Sequence, residues 1–393
     1  MTLRNCFLPF VIPACVVASS GALRAQAAWV KLTLKSQWTT TNGPVWSVTV
    51  RDQYAYCANG NGGLAIIDIS DSANPRRVGR FDTGGYTYDV AVMGNFAYVA
   101  ALSAGLQVID VSDPANPERR GSCETRAQSA LGVTVSGSYA YVGNGLGGLE
   151  VIDVADPANP QRLGWYVERD GYTGGVAVSG SYAYVADGHA GLEVIDISDH
   201  MNLRRIDGFN TTGSAGNVVV SGNYAYVGDQ GGGLQIIDIS SPATPHWVGG
   251  GIYDPQGYAW GVALSGNYAY VASGHAGVQV CDISNPASLR WVGGYDTTGY
   301  SYGVAVVGKH AYVADHWNGL VILEIAELPT ITHAERTGDG LTVEWNDTAR
   351  GMTLQRATSL TSADWVDLLG SETTNRLTLP LLSGNVFFRL VKQ

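Results

Sequence analysis

A tyrosine returns along this chain at a nearly fixed interval. The second tyrosine of a Y-A-Y-like triplet stands at positions Tyr56, Tyr98, Tyr141, Tyr184, Tyr226, Tyr270 and Tyr312, in steps of 42 to 44 residues. A unit of that length cannot bury its own apolar face. Stacked neighbours must do it, which restricts the chain to a solenoid or a propeller. Two stretches, GHAGLEVIDISD from Gly188 and GHAGVQVCDISN from Gly274, are nearly the same string two periods apart.

One repeat parses directly into strands. GVAVSG (Gly175 to Gly180), YAYVAD (Tyr182 to Asp187), GLEVIDIS (Gly191 to Ser198) and LRRIDGFN (Leu203 to Asn210) are each strand-length and bounded by Gly, Asp, Ser or Pro. With 51 glycines, 21 tyrosines and only 15% charged residues, nothing in the repeat carries a helical period. Four short antiparallel strands per repeat make a propeller blade, and a β-helix or leucine-rich horseshoe would need a shorter period. The seventh repeat stops at Ile325 without a fourth strand, while VKLTLKSQW (Val30 to Trp38) is a strand without a repeat. Trp38 aligns with Phe81 at the end of a fourth strand. The sequence therefore predicts an all-β, seven-bladed β-propeller over residues 28–326, closed by its N-terminal strand.

GLQVIDVSDPANPERRG (Gly105 to Gly121) and GLEVIDVADPANPQRLG (Gly148 to Gly164) resemble LVIVD repeats, found in secreted bacterial β-propellers. The resemblance covers about Val45 to Ile325. It implies the propeller fold and names no activity. The segments Asp199 to Leu203 and Asn285 to Leu289 lack the second proline, and Glu324 replaces Asp in the last blade. The Gly-His and Trp-Asp signatures of WD repeats are missing.

Beyond Ile325 the period ends. LTVEW (Leu341 to Trp345), MTLQRA (Met352 to Ala357), DWVDL (Asp364 to Leu368), RLTLP (Arg376 to Pro380) and VFFRLV (Val386 to Val391) are short alternating strands. They predict a small β-sandwich of fibronectin III or immunoglobulin type over 327–393, with Trp345, Trp365, Phe387 and Phe388 as its core. LQRATSLTSADWVDL followed by FFRLV is similar to C-terminal modules appended to exported proteins of some environmental bacteria.

At the other end, Arg4, the apolar run Phe7 to Ala18 and Ala25-Gln26-Ala27 read as a signal peptide over 1–27. Ile12-Pro13-Ala14-Cys15 offers a weaker lipoprotein alternative. The apolar run is too short to span a bilayer. The expectation is a mature chain that is secreted, periplasmic or at the cell surface, with no membrane insertion. A net charge of −11 without any basic run gives nucleic acid no electrostatic footprint. Cys57, Cys123 and Cys281 replace apolar residues of sister repeats and read as small buried hydrophobes.

Several motifs look chemical and are better explained by structure. Asp68, Asp110, Asp153, Asp196, Asp238 and Asp282 each open a turn, where a short carboxylate bonds backbone N–H groups two residues on. Gly299 to Gly303 matches G-x-S-x-G, and Gly143 to Gly148 matches G-x-G-x-x-G. Both lead into strands, so neither has the helix its chemistry needs. His189 and His275 sit a whole blade apart, too far for one metal. No metal or other cofactor is expected, and no catalytic residue is assigned.

One asymmetry resists a purely structural reading. Two positions before the first-strand valine stand Trp46, Tyr88, Leu131, Gly174, Gly216, Trp260 and Tyr302. The large aromatics belong to blades six, seven, one and two, which are contiguous around a closed ring. Tyr86, Tyr258 and Tyr300 thicken that sector, His275, His316, Trp317 and Asp89 lie within it, and Tyr172 falls outside. Fold maintenance alone would repeat one residue type in every blade. The sector is the candidate docking face for a carbohydrate or protein ligand, with an aromatic plug of the channel as the competing account. An extracellular polysaccharide-active enzyme, using Asp89, His275 or His316 as acid–base groups, is the alternative function.

Overall fold

The computed structural model describes residues 30–167, 171–251 and 258–328, then the strand segments 331–337, 340–345, 353–357, 366–368, 376–380 and 387–391. The expected signal peptide and Trp365 lie outside the described residues. Leu32–Ile325 forms one compact unit, and the strands beyond it belong to a second.

The first unit is a seven-bladed propeller of four-stranded sheets. In blade one, Ser47–Arg51, Tyr54–Ala58, Leu64–Asp68 and Arg76–Phe81 pair antiparallel in chain order. The residue types fall where burial demands them. The second and third strands lie within the blade and between its neighbours. They are therefore covered on both faces and read as near-continuous apolar runs, YAYCA and LAIID. The fourth strand, RRVGRF, is the outer edge, and only its glycine is fully buried. A register shift between Ile66 and Ile67 recurs at the same place in blades two to six, so a β-bulge twists each outer strand alike.

Packing runs from blade to blade. Tyr56, Leu64 and Ile66 of blade one meet Val90, Val99 and Ile109 of blade two. The same construction appears where the last repeat meets the first: Tyr312, Leu320 and Ile322 pack on Val48, Cys57 and Ile67. In the seventh sheet the strand order is Gly303–Val307, His310–Ala314, Leu320–Glu327 and then Val30–Trp38. A Cβ on Gly319 would collide with the carbonyl oxygen of Trp38, as one on Gly63 would with that of Phe81. Trp38 thus occupies the structural position of Phe81.

Backbone bridges ring one face. In each blade the turn between the second and third strands pairs with the link entering the next blade: Gly60 with Thr87, Leu102 with Ala130, Gly145 with Thr173, Gly188 with Ala215, Gln230 with Ala259, Gly274 with Ser301 and His316 with Val45. The turn residue has positive φ in all seven, which glycine adopts without strain and Leu102, Gln230 and His316 do not.

The second unit contains two three-stranded sheets among its described residues, Ile331–Thr337 with Gly340–Trp345 and Arg376–Pro380, and Val366–Asp367 with Thr353–Ala357 and Phe387–Val391. Val343, Trp345 and Leu354 are buried. The strand at Ile331–Thr337, ITHAERT, has no clear alternation and was not marked in the sequence.

Candidate functional site at the propeller axis

The links that enter the blades place the residues before each first strand at the ring's axis. There the aromatics of four blades form one continuous arc. Ring centroids lie 5.1 Å apart for Trp260 and Tyr302, 4.4 Å for Tyr302 and Trp46, and 5.0 Å for Trp46 and Tyr88. All are tilted contacts, the geometry in which aromatic quadrupoles attract. The sector read from the sequence is assembled in space.

The arc is one wall of a cavity of about 600 Å³ on the axis, lined by residues from all seven blades. On the side of blades three to five the link positions are smaller, with Gly132, Gly174, Gly175 and Gly216 in the lining beside Leu131, Tyr172, Asn217 and Gln230. These glycines let adjacent inner strands approach closely, since a Cβ on Gly174 would lie 2.6 Å from the carbonyl oxygen of Gly216. A Cβ on Gly216 would meet only ordinary van der Waals contacts, Trp260 at 3.7 Å and Gln230 at 3.8 Å. Asymmetry in the links thus becomes a void with four large rings on one side and glycine-rich links on the other.

Asp89 sits at the junction of the two walls. Its carboxylate accepts from Ser47 Oγ at 2.6 Å, from its neighbour Val90 N at 2.9 Å, and from Val133 N at 2.9 Å. It therefore ties blades one, two and three together. Burial pushes its pKa above the usual carboxylate range, with the three hydrogen bonds partly opposing the shift. Among the described residues no lysine, arginine or histidine lines the cavity.

The remaining sector residues form an outer tier that touches the arc without lining the cavity. Trp46 Nε1 donates to Tyr86 Oη at 2.9 Å, and Trp260 Nε1 donates to Tyr300 Oη at 3.1 Å. Tyr258 lies 6.5 Å from Trp260, and His316 meets Trp46 at 5.0 Å and Tyr302 at 5.3 Å between centroids. Trp317 contacts His316, and His275 contacts Tyr300, so both stand one ring further out. Burial lowers the His316 pKa, with Asp315 opposing, and raises those of Tyr88 and Tyr302, the latter to about 12. These side chains are neutral near pH 7.

Sequence reasoning missed several lining residues. Tyr172, placed outside the sector, lines the same cavity from blade four. Asn217 and Gln230 of blade five also line it. Their signal was available: Asn217 occupies the register position of Asp89, and Gln230 that of His316. Asn217 Oδ1 accepts weakly from Val262 N at 3.4 Å, a looser counterpart of the Asp89 clasp.

The other motifs sit in the framework. Asp68, Asp110, Asp196, Asp238 and Asp282 accept from the backbone N–H of a serine two residues on, and Asp153 does so from Ala155. Ser301 is fully buried, donates to Asp315 at 2.8 Å and leads into a strand. Gly143–Gly148 leads into the strand Leu149–Asp153. Among the described residues no group of three or more His, Cys, Asp or Glu could hold a metal ion. Cys57 and Cys281 are buried, and burial pushes their thiols far up, to about 12 for Cys281. No helix among the described residues is long and apolar enough to cross a membrane.

Comparison with known proteins matches this architecture. The family model of the LVIVD repeat fits residues 42–83, 84–125, 127–167, 170–211, 212–251, 256–297 and 298–333, one match per blade. No curated protein matches. Among solved structures, the chain is similar to the WD40 repeats of RRP9, with 11% identity and a TM-score of 0.60 over 77% of this chain and 100% of that one. It is also similar to the β-propeller domain of Myceliophteria thermophila Cps50 (Swd1), with 13% identity and a TM-score of 0.59 over 75% and 100%. The computationally designed Ika8 protein shares 12% identity and a TM-score of 0.55 over 78% and 98%. At such identities the likeness shows the propeller fold alone.

Proposed function

The chain belongs to the LVIVD repeat family, and on that footing we propose that it is an exported, non-catalytic binding propeller that docks a carbohydrate or protein ligand at the channel mouth of blades six, seven, one and two. The observation that carries this reading is the one-sided cavity. A plug would fill the axis from all sides. Here four of the five lining rings crowd one side, while Gly174, Gly175 and Gly216 leave room beside Tyr172, Asn217 and Gln230 on the other. A cavity of about 600 Å³ with an aromatic wall and a few polar groups has the size and lining of a ligand site.

The rest of the reading follows the sequence. Residues 1–27 direct export and are removed. The N-terminal strand completes blade seven and closes the ring, a reading supported by its place in the seventh sheet. Residues 327–393 form a small sandwich that serves as spacer or docking module. The mature chain is secreted, periplasmic or at the cell surface. The net charge of −11 argues against nucleic acid as partner. A polysaccharide-active enzyme would need two titratable groups astride one bond. Among the described residues Asp89 is the one carboxylate of the lining, and His275 and His316 stand in the outer tier, so binding is favoured.

The test is a screen of the purified mature protein against glycans and peptides, beside a Trp46→Ala/Trp260→Ala variant whose melting is checked. A ligand held by the wild type and lost by a folded variant supports the arc as the docking face. Turnover of that ligand would replace binding by catalysis. An empty screen with a much lower melting point in the variant would make the aromatics a plug.

A further inference from the structure

Among the described residues the cavity is lined by five aromatic side chains, one half-buried carboxylate and no basic side chain, and we infer that its docking site selects an alkylammonium group. This rests on the docking reading above and gives the ligand its chemistry. Three features of the lining converge on it.

The first is charge. Asp89 lines the cavity, and among the described residues no lysine, arginine or histidine does. Its three partners, Ser47 Oγ, Val90 N and Val133 N, are neutral donors. A carboxylate taken from water without a cation is costly, and the upward push on its pKa expresses that cost. A bound ammonium would supply the missing countercharge. The Asp89 carboxylate would repel an anionic ligand, and the net charge of −11 biases the encounter the same way.

The second is the spending of donors. The two indole N–H groups of the arc are those that would reach a sugar hydroxyl or a carboxylate. Both are already given to phenols, Trp46 to Tyr86 and Trp260 to Tyr300. What the two indoles still offer is π-face, beside the hydroxyls of Tyr88 and Tyr302, and a π-face attracts a cation within about 6 Å of its centroid.

The third is space. The bare wall at Gly174, Gly175 and Gly216 leaves a substituted ammonium room beside the arc, and no Cβ from Gly216 narrows it. A compact, weakly hydrated cation gains from aromatic and carboxylate contacts at once, which a neutral apolar group of equal shape does not.

The test compares a charged probe with its uncharged isostere. Choline and 3,3-dimethylbutan-1-ol differ in one atom, N⁺ for C. Each is titrated into the full mature chain while tryptophan fluorescence is followed. The expected result is at least tenfold tighter binding of choline, equivalent to about 1.4 kcal/mol. Asp89→Asn should bring choline down to the level of the isostere. Because Asp89 also clasps three blades, that variant is melted first. Trp260→Leu, which keeps an apolar side chain but loses the π-face, gives an independent reading and should weaken choline more than the isostere. A second arm titrates a peptide with one lysine and the same peptide with norleucine, separating a protein side chain from a free amine as the source of the group. Equal binding of charged and neutral probes in both arms, or wild-type discrimination retained in both folded variants, would overturn the inference and leave the docking reading standing. If no probe binds, the inference fails, and the glycan and peptide screen then decides the docking reading by itself.

Discussion

The indole N–H of Trp46 donates to the phenol oxygen of Tyr86 at 2.9 Å, across the seam between the first and second blades. Trp260 and Tyr300 repeat the bond at 3.1 Å between blades six and seven, at the same spacing of 40 residues. A tryptophan in one link is thus held by a tyrosine from the next, and the arc is rigid at both of its tryptophans. A double-mutant cycle with Trp46→Phe and Tyr86→Phe should show a coupling of about 1 kcal/mol in denaturant unfolding, the worth of a half-buried hydrogen bond. Coupling near zero would mean that the phenol merely fills space.

Much of this architecture was legible because the repeat writes it seven times. Period, strand count and the aromatic sector all follow from comparing one repeat with the next. What escaped depends on differences within the repeat that carry no label. Tyr172 belongs to a blade whose neighbouring link residue is Gly174, so it reads as an isolated aromatic, yet the bare glycine wall is what gives it access to the cavity. Asp89 is marked by the sequence as a sector residue, but its clasp is not legible there, because its bonds to Ser47 and Val133 cross from blade to blade. The left-handed turn residue is invisible in blade two, where Leu102 takes a conformation that its type disfavours.

That turn position makes a stability prediction. Gln230 has a φ of 43°, at a site where four blades use glycine. Gln230→Gly should stabilise the chain by about 1 kcal/mol, by relieving the left-handed penalty of a side chain. The reverse change, Gly188→Leu, imposes the penalty and brings a Cβ to 3.2 Å from Tyr172 Cβ, so it should destabilise by a similar or larger amount. Paired urea melts check both signs, and a loss of stability in Gln230→Gly would show that the amide's contacts outweigh the strain.

The turn carboxylates set the response to acid. Hydrogen bonds from Ser70, Ser112 and Ser198 to Asp68, Asp110 and Asp196 head the causes that hold these carboxyls below their ordinary pKa. A group lowered on folding contributes stability that is present above its unfolded pKa, near 4, and lost as pH falls through the folded value. Melting temperature should therefore drop as pH falls below about 4. The triple variant Ser70→Ala/Ser112→Ala/Ser198→Ala should be less stable at pH 7 and lose less of its remaining stability on acidification. Asp89, Asp229 and Glu150 carry raised values and work in the opposite sense, their contribution falling as pH rises through the folded pKa. A variant that loses as much on acidification as the wild type would remove the serines from the account.

Two glycines of the bare wall separate the cavity from the fold that creates it. Gly216 admits a Cβ without collision, its nearest neighbour being Trp260 at 3.7 Å. Its φ is not among the positive values, so a side chain is tolerated by the backbone. Gly174 is packed against the carbonyl of Gly216, and a Cβ there would sit 2.6 Å from that oxygen. Gly216→Leu should fill the cavity while changing stability by less than about 1 kcal/mol, since it adds apolar contact with Trp260 and displaces no backbone. Gly174→Ala, a smaller change, should cost more, because two inner strands must separate to admit one methyl group. Melting of both variants, followed by titration of any ligand the wild type holds, tells the roles apart. A folded Gly216→Leu that still binds at full affinity would place the ligand outside the axis, and a Gly174→Ala as stable as the wild type would mean that the close approach of blades four and five is slack.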